Sequence, residues 1–135
     1  MLTIGQLAKQ AEVGVETIRF YEREGLLAEP DRTASGYRQY PPEAVERVKF
    51  LRRAQWLGFT LRDAKGLLEL RDDPDADRAD IHARATEKLA DIDARIADLQ
   101  AMRAELARVL TSCDGTGPAA GCPILAAIGT RGEST

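Results

Sequence analysis

The chain of 135 residues is poor in the side chains that carry most catalysis and most disulfide frameworks. It has one histidine, one tryptophan and two cysteines, and 5% of its residues are aromatic. A single histidine, with no phosphate-binding glycine loop and no Ser/His/Asp set, excludes the common catalytic arrangements, so we expect no enzyme. The low aromatic content argues against one large core and favours helices built on Leu, Ile, Val and Ala.

Long apolar runs are also missing. No stretch approaches the ~18–20 consecutive apolar residues of a transmembrane helix, and the N-terminus lacks the pattern of a signal peptide. We therefore expect a cytoplasmic protein without membrane contact. Because thiols stay reduced in that compartment, Cys113 and Cys122 indicate a metal or redox site rather than a structural disulfide.

Charge is distributed unevenly along the chain, whose net charge is -3. Residues 1–71 carry 12 Lys/Arg against 10 Asp/Glu, and residues 72–135 carry 7 against 12. The basic excess lies in the first half but is small. A basic surface there must come from local clustering.

The first 25 residues predict a helix-turn-helix. Thr3 and Gln6 have the spacing of a capping box, which places a short helix directly after Thr3. We expect Gly14 to supply a positive φ in the turn, a second helix over residues 15–24, and Gly25 just beyond its end. Two short helices joined by a tight turn form the unit that places a recognition helix in the major groove.

Residues 26–40 contain Pro30, Gly36 and several β-compatible residues, which favour a short two-stranded wing. Arg19 can read guanine or clamp a phosphate, whereas Phe20 is expected in the core. Hydroxyl and guanidinium groups suit phosphate contacts. The candidate DNA contacts are Thr17, Arg19 and Tyr21 on the second helix and Arg32, Tyr37, Arg38 and Tyr40 on the wing.

The second half predicts a long helix with a narrow apolar seam, which requires a second copy to cover it. The seam residues are Ala85, Leu89, Ile92, Ile96, Leu99, Leu106 and Leu110, interrupted only by Arg103. The predicted divisions are a winged helix-turn-helix DNA-binding domain (1–71), an acidic linker (72–78), a coiled-coil dimerisation helix (79–111), a thiol loop with a short helix (112–128) and a flexible tail (129–135). The expected fold is mainly α, and the expected state is a homodimer.

Five segments together resemble the MerR family of bacterial transcriptional regulators. They are residues 2–8 (LTIGQLA), 16–22 (ETIRFYE), 25–27 (GLL), 35–40 (SGYRQY) and 57–61 (LGFTL), and the end of the chain, Cys113 with 122–125 (CPIL), resembles the metal-sensing branch. The resemblance spans residues 1–128. It implies an antiparallel coiled-coil dimer, a metal-binding loop at Cys113 and Cys122, and a regulator that distorts promoter DNA so that RNA polymerase can engage it and transcribe metal resistance or efflux genes.

The sequence leaves the ion open. Two thiolates without a third ligand suit linear coordination of a monovalent soft ion such as Cu(I), Ag(I) or Au(I). The divalent sensors of the family resemble one another in a further Cys at the start of the dimer helix, and the copper-type sensors have Ser there. This chain has Arg78. The eight-residue loop between the cysteines, however, is similar to those of the mercury and zinc branches. Cu(I) is therefore the favoured inducing ion, Hg(II) is a close second and Zn(II) is third.

Two neighbouring residues and one other mechanism also remain open. His82 could add a nitrogen ligand, and the Arg78 guanidinium, which cannot ligate a cation, could neutralise a bis-thiolate site. The alternative function is a thiol redox-sensing regulator, in which Cys113 and Cys122 switch between dithiol and disulfide. The chain after the long helix is too short for a drug-binding domain.

Overall fold

The computed structural model describes residues 1–28, 30–32, 36 and 38–130. Its elements are α1 (Ile4–Ala11), α2 (Val15–Arg23), β1 (Asp31–Arg32), β2 (Arg38–Gln39), α3 (Glu43–Trp56), α4 (Leu61–Asp72), α5 (Arg78–Leu110) and α6 (Pro123–Thr130). They form two compact units, which divide within α5 between Lys88 and Leu89. The mainly α fold predicted from the sequence is confirmed. Every helix of the described residues is too short or too polar to span a bilayer.

The capping box that opens α1 is confirmed, but the turn after this helix differs from the prediction. Thr3 Oγ1 accepts a hydrogen bond from the Gln6 N–H at 3.1 Å, and the Thr3 N–H donates to Gln6 Oε1 at 2.9 Å. The positive φ falls at Glu12 (60°), whereas Gly14 has a φ of -80° and precedes α2 in an extended conformation. The prediction for Gly14 is wrong because the left-handed residue is the one that caps α1: the Glu12 N–H donates to the Lys9 carbonyl.

The core of the first unit reverses the expected roles of Phe20 and Tyr21. Tyr21 is 1% exposed and Phe20 is 37% exposed. Residue 21 lies three positions after the fully buried Ile18 and shares its helix face, whereas residue 20 lies off that face. The other side chains with less than 2% exposure are Leu7, Tyr40, Val48, Leu51, Ala64 and Leu68.

The wing is a two-stranded antiparallel ribbon, as the sequence predicts. β1 and β2 pair in the register Asp31↔Gln39 and Arg32↔Arg38. The N-terminus joins this ribbon, because Leu2 and Tyr40 exchange two backbone hydrogen bonds of 2.7 Å. The predicted contact residue Tyr37 lies outside the described residues.

Helices α3 and α4 are joined by a short corner. Gly58 has a φ of +97°, which a side chain would strain, and Thr60 caps α4 by accepting from the Asp63 N–H at 3.1 Å. α4 continues to Asp72, the first residue of the predicted linker. Arg47 Nη1 donates to Asp72 Oδ2 at 3.0 Å and holds this last turn. The predicted domain limits stay a prediction.

Helix α5 has 33 residues, and the boundary between the two units falls within it. Its first turns belong to the first unit: an added Cβ on Gly66 would lie 2.6 Å from Arg84 Nη1, and Lys88 Nζ lies 5.4 Å from the centre of the Phe59 ring. Beyond Lys88 the seam is exposed, with Leu89, Ile96, Leu99, Leu106 and Leu110 each about half accessible. In the C-terminal part, α6 reaches Thr130, and residues 131–135 of the predicted tail lie outside the described residues.

Candidate nucleic-acid interface and metal centre

Of the three DNA contacts predicted on α2, Arg19 and Thr17 reach the surface, whereas Tyr21 is buried. Arg19 is exposed and Thr17 is half-buried. Arg23 lies one turn after Arg19, with its guanidinium carbon 5.8 Å from the centre of the Phe20 ring. Arg19 and Arg23, four positions apart, therefore present two cations on one side of α2, as a surface that meets phosphates and base edges requires.

An open cleft of about 670 Å³ separates α2 from the C-terminal half of α3. Its lining residues are Glu16, Thr17, Phe20, Tyr21, Arg23, Arg52, Gln55 and Trp56. Trp56 is 71% exposed, and the Arg53 guanidinium lies over its ring at 4.3 Å. Trp56 lies three residues after the basic pair Arg52 and Arg53 and was not among the contacts predicted from the sequence. An exposed tryptophan next to a basic pair at a helix end was the available signal.

The two described tyrosines among the predicted contacts, Tyr21 and Tyr40, point their hydroxyls at groups within the domain. The Tyr21 hydroxyl donates to Gln55 Oε1 at 2.6 Å. The Tyr40 hydroxyl donates to Glu22 Oε1, also at 2.6 Å. Burial, followed by this hydrogen bond to Glu22, raises the pKa of Tyr40 to about 12. These tyrosines are fixed donors that connect helices and wing, and their contact with DNA stays a prediction.

The Glu22 carboxylate connects α2 to the wing. Its Oε2 accepts from Arg38 Nη1 at 2.9 Å while its Oε1 accepts from Tyr40. The Glu22 side chain is 9% exposed and that of Arg38 is 42% exposed, so the pair lies at the edge of the core. Arg32 is in β1 opposite Arg38, and its side chain lies outside what the structure describes. No short-range signal in the sequence indicates this role of Glu22, whose partners lie 16 and 18 residues away.

The two cysteines come together in the second unit. Cys113 follows α5, Cys122 precedes α6, and their Sγ atoms are 4.0 Å apart. The intervening loop turns back on itself through Gly115, Gly117 and Gly121, which all have positive φ. The proximity of the two sulfurs agrees with the interpretation that this loop is one site.

The helix N-terminus of α6 activates one of the thiols. Backbone N–H groups of Leu125 and then Ile124 lower the pKa of Cys122, and Cys113 adds a smaller effect in the same direction. The thiolate is the form that binds metals, so this position favours ligation. Both side chains are partly exposed, which leaves the sulfurs accessible to an ion.

The donor set is small and soft. Among the described residues, no group of three or more His, Cys, Asp or Glu side chains forms a metal cluster. With metal–sulfur bonds of about 2.3 Å, a linear S–M–S unit needs sulfurs about 4.6 Å apart, and a tetrahedral one about 3.8 Å. The observed 4.0 Å lies between these values, so the pair fits a thiophilic ion after a small adjustment of the glycine-containing loop.

The two residues that the sequence left open, Arg78 and His82, both lie in the first turns of α5 and are exposed. The Thr86 hydroxyl donates to the His82 backbone carbonyl at 2.7 Å and lies 3.4 Å from His82 Nδ1. Neither Arg78 nor His82 belongs to the unit that carries the thiols.

A helix-turn-helix with a wing and a basic, aromatic cleft defines a DNA-binding transcription regulator. Residues 2–70 match the profile of the MerR HTH family regulatory protein, and residues 45–109 match that of MerR, DNA binding. The chain belongs to the MerR family of transcriptional regulators.

Relatives and solved structures agree with this assignment. The mercuric resistance operon regulatory protein of Pseudomonas fluorescens is 42% identical over 127 residues, covering 94% of this chain and 87% of that protein. The regulator PbrR691 from Ralstonia metallidurans CH34, in complex with lead(II), superposes with a TM-score of 0.84 at 35% identity, covering 95% of this chain and 99% of that one. MerR from Bacillus megaterium MB1, in complex with mercury(II), gives a TM-score of 0.71 at 34% identity, covering 94% and 98%. The relatives are regulators and not enzymes, as expected for this chain.

Proposed function

We propose that this regulator activates transcription in response to a soft thiophilic ion bound by Cys113 and Cys122. The observation that carries the proposal is the 4.0 Å separation of the two sulfurs, with Cys122 at the N-terminus of α6. Of the relatives named above, one is the regulatory protein of a mercuric resistance operon and two are in complex with lead(II) or mercury(II), which are thiophilic ions. Metal resistance or efflux genes are the proposed targets.

The candidate ions are Cu(I) or another monovalent coinage-metal ion, and Hg(II). Two sulfurs and no third donor among the described residues favour a linear site, for which a monovalent ion needs no further ligand. The loop length and the mercuric relatives support Hg(II), which also accepts two sulfurs. Zn(II) stands behind both because its usual tetrahedral shell needs two more donors.

The proposed partners are promoter DNA, a second copy of the chain and RNA polymerase, all in the cytoplasm. The exposed seam of α5 supports a homodimer, whose antiparallel arrangement the family resemblance implies. We propose DNA contacts by Thr17, Arg19 and Tyr21 of α2 and by Arg32, Tyr37, Arg38 and Tyr40 of the wing. The metal then changes the shape of bound promoter DNA rather than occupancy, so that polymerase can engage it.

Transcription in vitro tests this function. The operator, selected from random duplex DNA and placed in a promoter spacer, is transcribed with purified reduced protein and graded Cu(I), Hg(II) or Zn(II). We expect Cys113→Ser and Cys122→Ser to abolish induction while retaining operator affinity, because the sulfurs lie outside the DNA-binding unit. Ala119→Ser, which adds a hydroxyl in the same loop, should respond like wild type. Full induction of both serine variants would refute the assignment of the thiols.

A thiol redox sensor is the second candidate, because the same sulfur proximity also suits a reversible disulfide. Oxidant titration separates the two functions. A metal sensor is induced by ion under reducing conditions and not by oxidant without metal, whereas a redox sensor shows the opposite pattern.

A further inference from the structure

The Glu22 carboxylate occupies an unusual place for an acidic group, since it lies between the two elements to which we assign DNA contacts. Its two oxygens accept from Arg38 Nη1 (2.9 Å) and from the Tyr40 hydroxyl (2.6 Å), and its side chain is 9% exposed. A carboxylate near phosphates repels them, so its presence at such a surface weakens binding unless it does something else there.

We propose that Glu22 is a positioning residue for DNA binding, which acts by fixing the Arg38 guanidinium against α2 so that Arg38 meets a phosphate. This inference rests on the proposed DNA contact of Arg38. A guanidinium has five N–H donors, so a bond to Glu22 leaves donors of the same rigid group for a phosphate oxygen. Holding the group in place before DNA arrives reduces the side-chain entropy that binding would otherwise cost.

Tyr40 completes the arrangement by holding the carboxylate itself. Its ring is 1% exposed, and its backbone is paired with Leu2 through two bonds of 2.7 Å. With a pKa of about 12, its hydroxyl remains a donor at every physiological pH. The chain of contacts therefore runs from a fixed ring in the core through Glu22 to a side chain that is 42% exposed, Arg38.

The test is a double-mutant cycle on the full-length protein, read as affinity for operator DNA and for scrambled duplex at several salt concentrations. Glu22→Gln should weaken binding to both DNAs by about tenfold, the effect expected when Arg38 loses its charge-assisted hydrogen bond to a phosphate. It should also reduce the slope of log affinity against log salt by about one, as the loss of a single phosphate contact does. In an Arg38→Ala background, Glu22→Gln should cause no further loss of affinity.

Glu24→Gln is the matched control, since it removes the same charge at an exposed position just beyond the same helix. We expect it to bind equally well or slightly more tightly. Tyr40→Phe provides a second variant if Glu22→Gln folds poorly, and it should weaken binding by about threefold. The part of this loss that passes through Glu22 should disappear when Arg38 is alanine, whereas the loss of a direct Tyr40 contact with DNA would persist. A loss that persists in full would count against the positioning role.

Each outcome of these measurements either supports or overturns the proposed role of Glu22. Wild-type or tighter binding by Glu22→Gln would mean that Glu22 withholds Arg38 from DNA or has no influence on it, and would overturn the proposal. Additive losses from Glu22→Gln and Arg38→Ala would show a structural role unconnected with Arg38, and would also overturn it. If Arg38→Ala itself binds like wild type, the assigned wing contact fails, which is a separate failure of the proposed function.

Discussion

Charging the seam of α5 should separate the proposed dimer into monomers. Ile92 is half-buried and Leu99 is 61% exposed within one chain, so both have surface left for a partner to cover. Replacing both with Asp removes apolar burial and brings carboxylates into a desolvated contact. We estimate a loss of roughly 2–3 kcal/mol per site, or roughly 8–12 kcal/mol for the four sites of a dimer.

That loss is comparable with the whole binding free energy of a nanomolar dimer, which is about 12 kcal/mol. At micromolar concentration the double variant should therefore sediment as a monomer in analytical ultracentrifugation. The matched control is Ala94→Asp with Ala101→Asp, which introduces the same charges on the same helix at exposed positions off the seam. The control should remain a dimer.

Two results would refute the reasoning. If Ile92→Asp/Leu99→Asp sediments as a dimer at the concentrations where wild type does, the seam is not the interface. If the seam variant and the control both dissociate, the cause is weakened helix rather than a charged interface, because Asp has the same low helix propensity at all four positions. Circular dichroism on each variant distinguishes helix loss from dissociation.

Four further outcomes follow from the same structure. Arg19→Ala should weaken operator binding by about 1–3 kcal/mol if Arg19 makes a bidentate base contact, and gel-shift titration would show no loss if it does not. Metal should alter the distortion of bound DNA, measured by energy transfer between its labelled ends; a hundredfold change of affinity with constant transfer would contradict this. Thr60→Ala should cost about 1 kcal/mol in the free energy of unfolding by removing the α4 cap, measured by urea denaturation, where an unchanged midpoint would count against the cap. The pKa of Tyr40 is raised from 10.0 to about 12 in the folded protein, so Tyr40 loses its proton at a lower pH in the unfolded chain. The free energy of unfolding should therefore fall as pH rises from 10.0 to about 12, and Tyr40→Phe should lessen that fall.

Local signals predicted the elements of the DNA-binding unit well. The Thr3 cap and Gly25, which has a φ of +74° just beyond α2, each act through neighbours within a few residues, and such short-range rules can be read from the sequence. The left-handed conformation of Glu12 could not be predicted, because a non-glycine residue with a positive φ carries no signal in the composition. Helix capping favours that conformation at the end of α1.

Long-range contacts are what the sequence could not provide. The burial of Tyr21 rather than Phe20 depends on which face of α2 is covered by α3. The partner of the Tyr21 hydroxyl, Gln55, lies 34 residues away in the sequence. The link from Glu22 to Arg38 spans 16 residues and two elements. The proximity of the two cysteines was predictable because the glycine-containing loop between them can fold back and bring their sulfurs together.

The central claim, that Cys113 and Cys122 bind a soft ion as a two-sulfur site, is tested most directly by X-ray absorption on the metal-loaded reduced protein. We predict two short metal–sulfur bonds with no third ligand, one ion per loop, for Cu(I) or Hg(II), and loss of that signal in Cys122→Ser. A four-coordinate shell containing nitrogen or oxygen, or an unchanged spectrum in Cys122→Ser, would contradict the account.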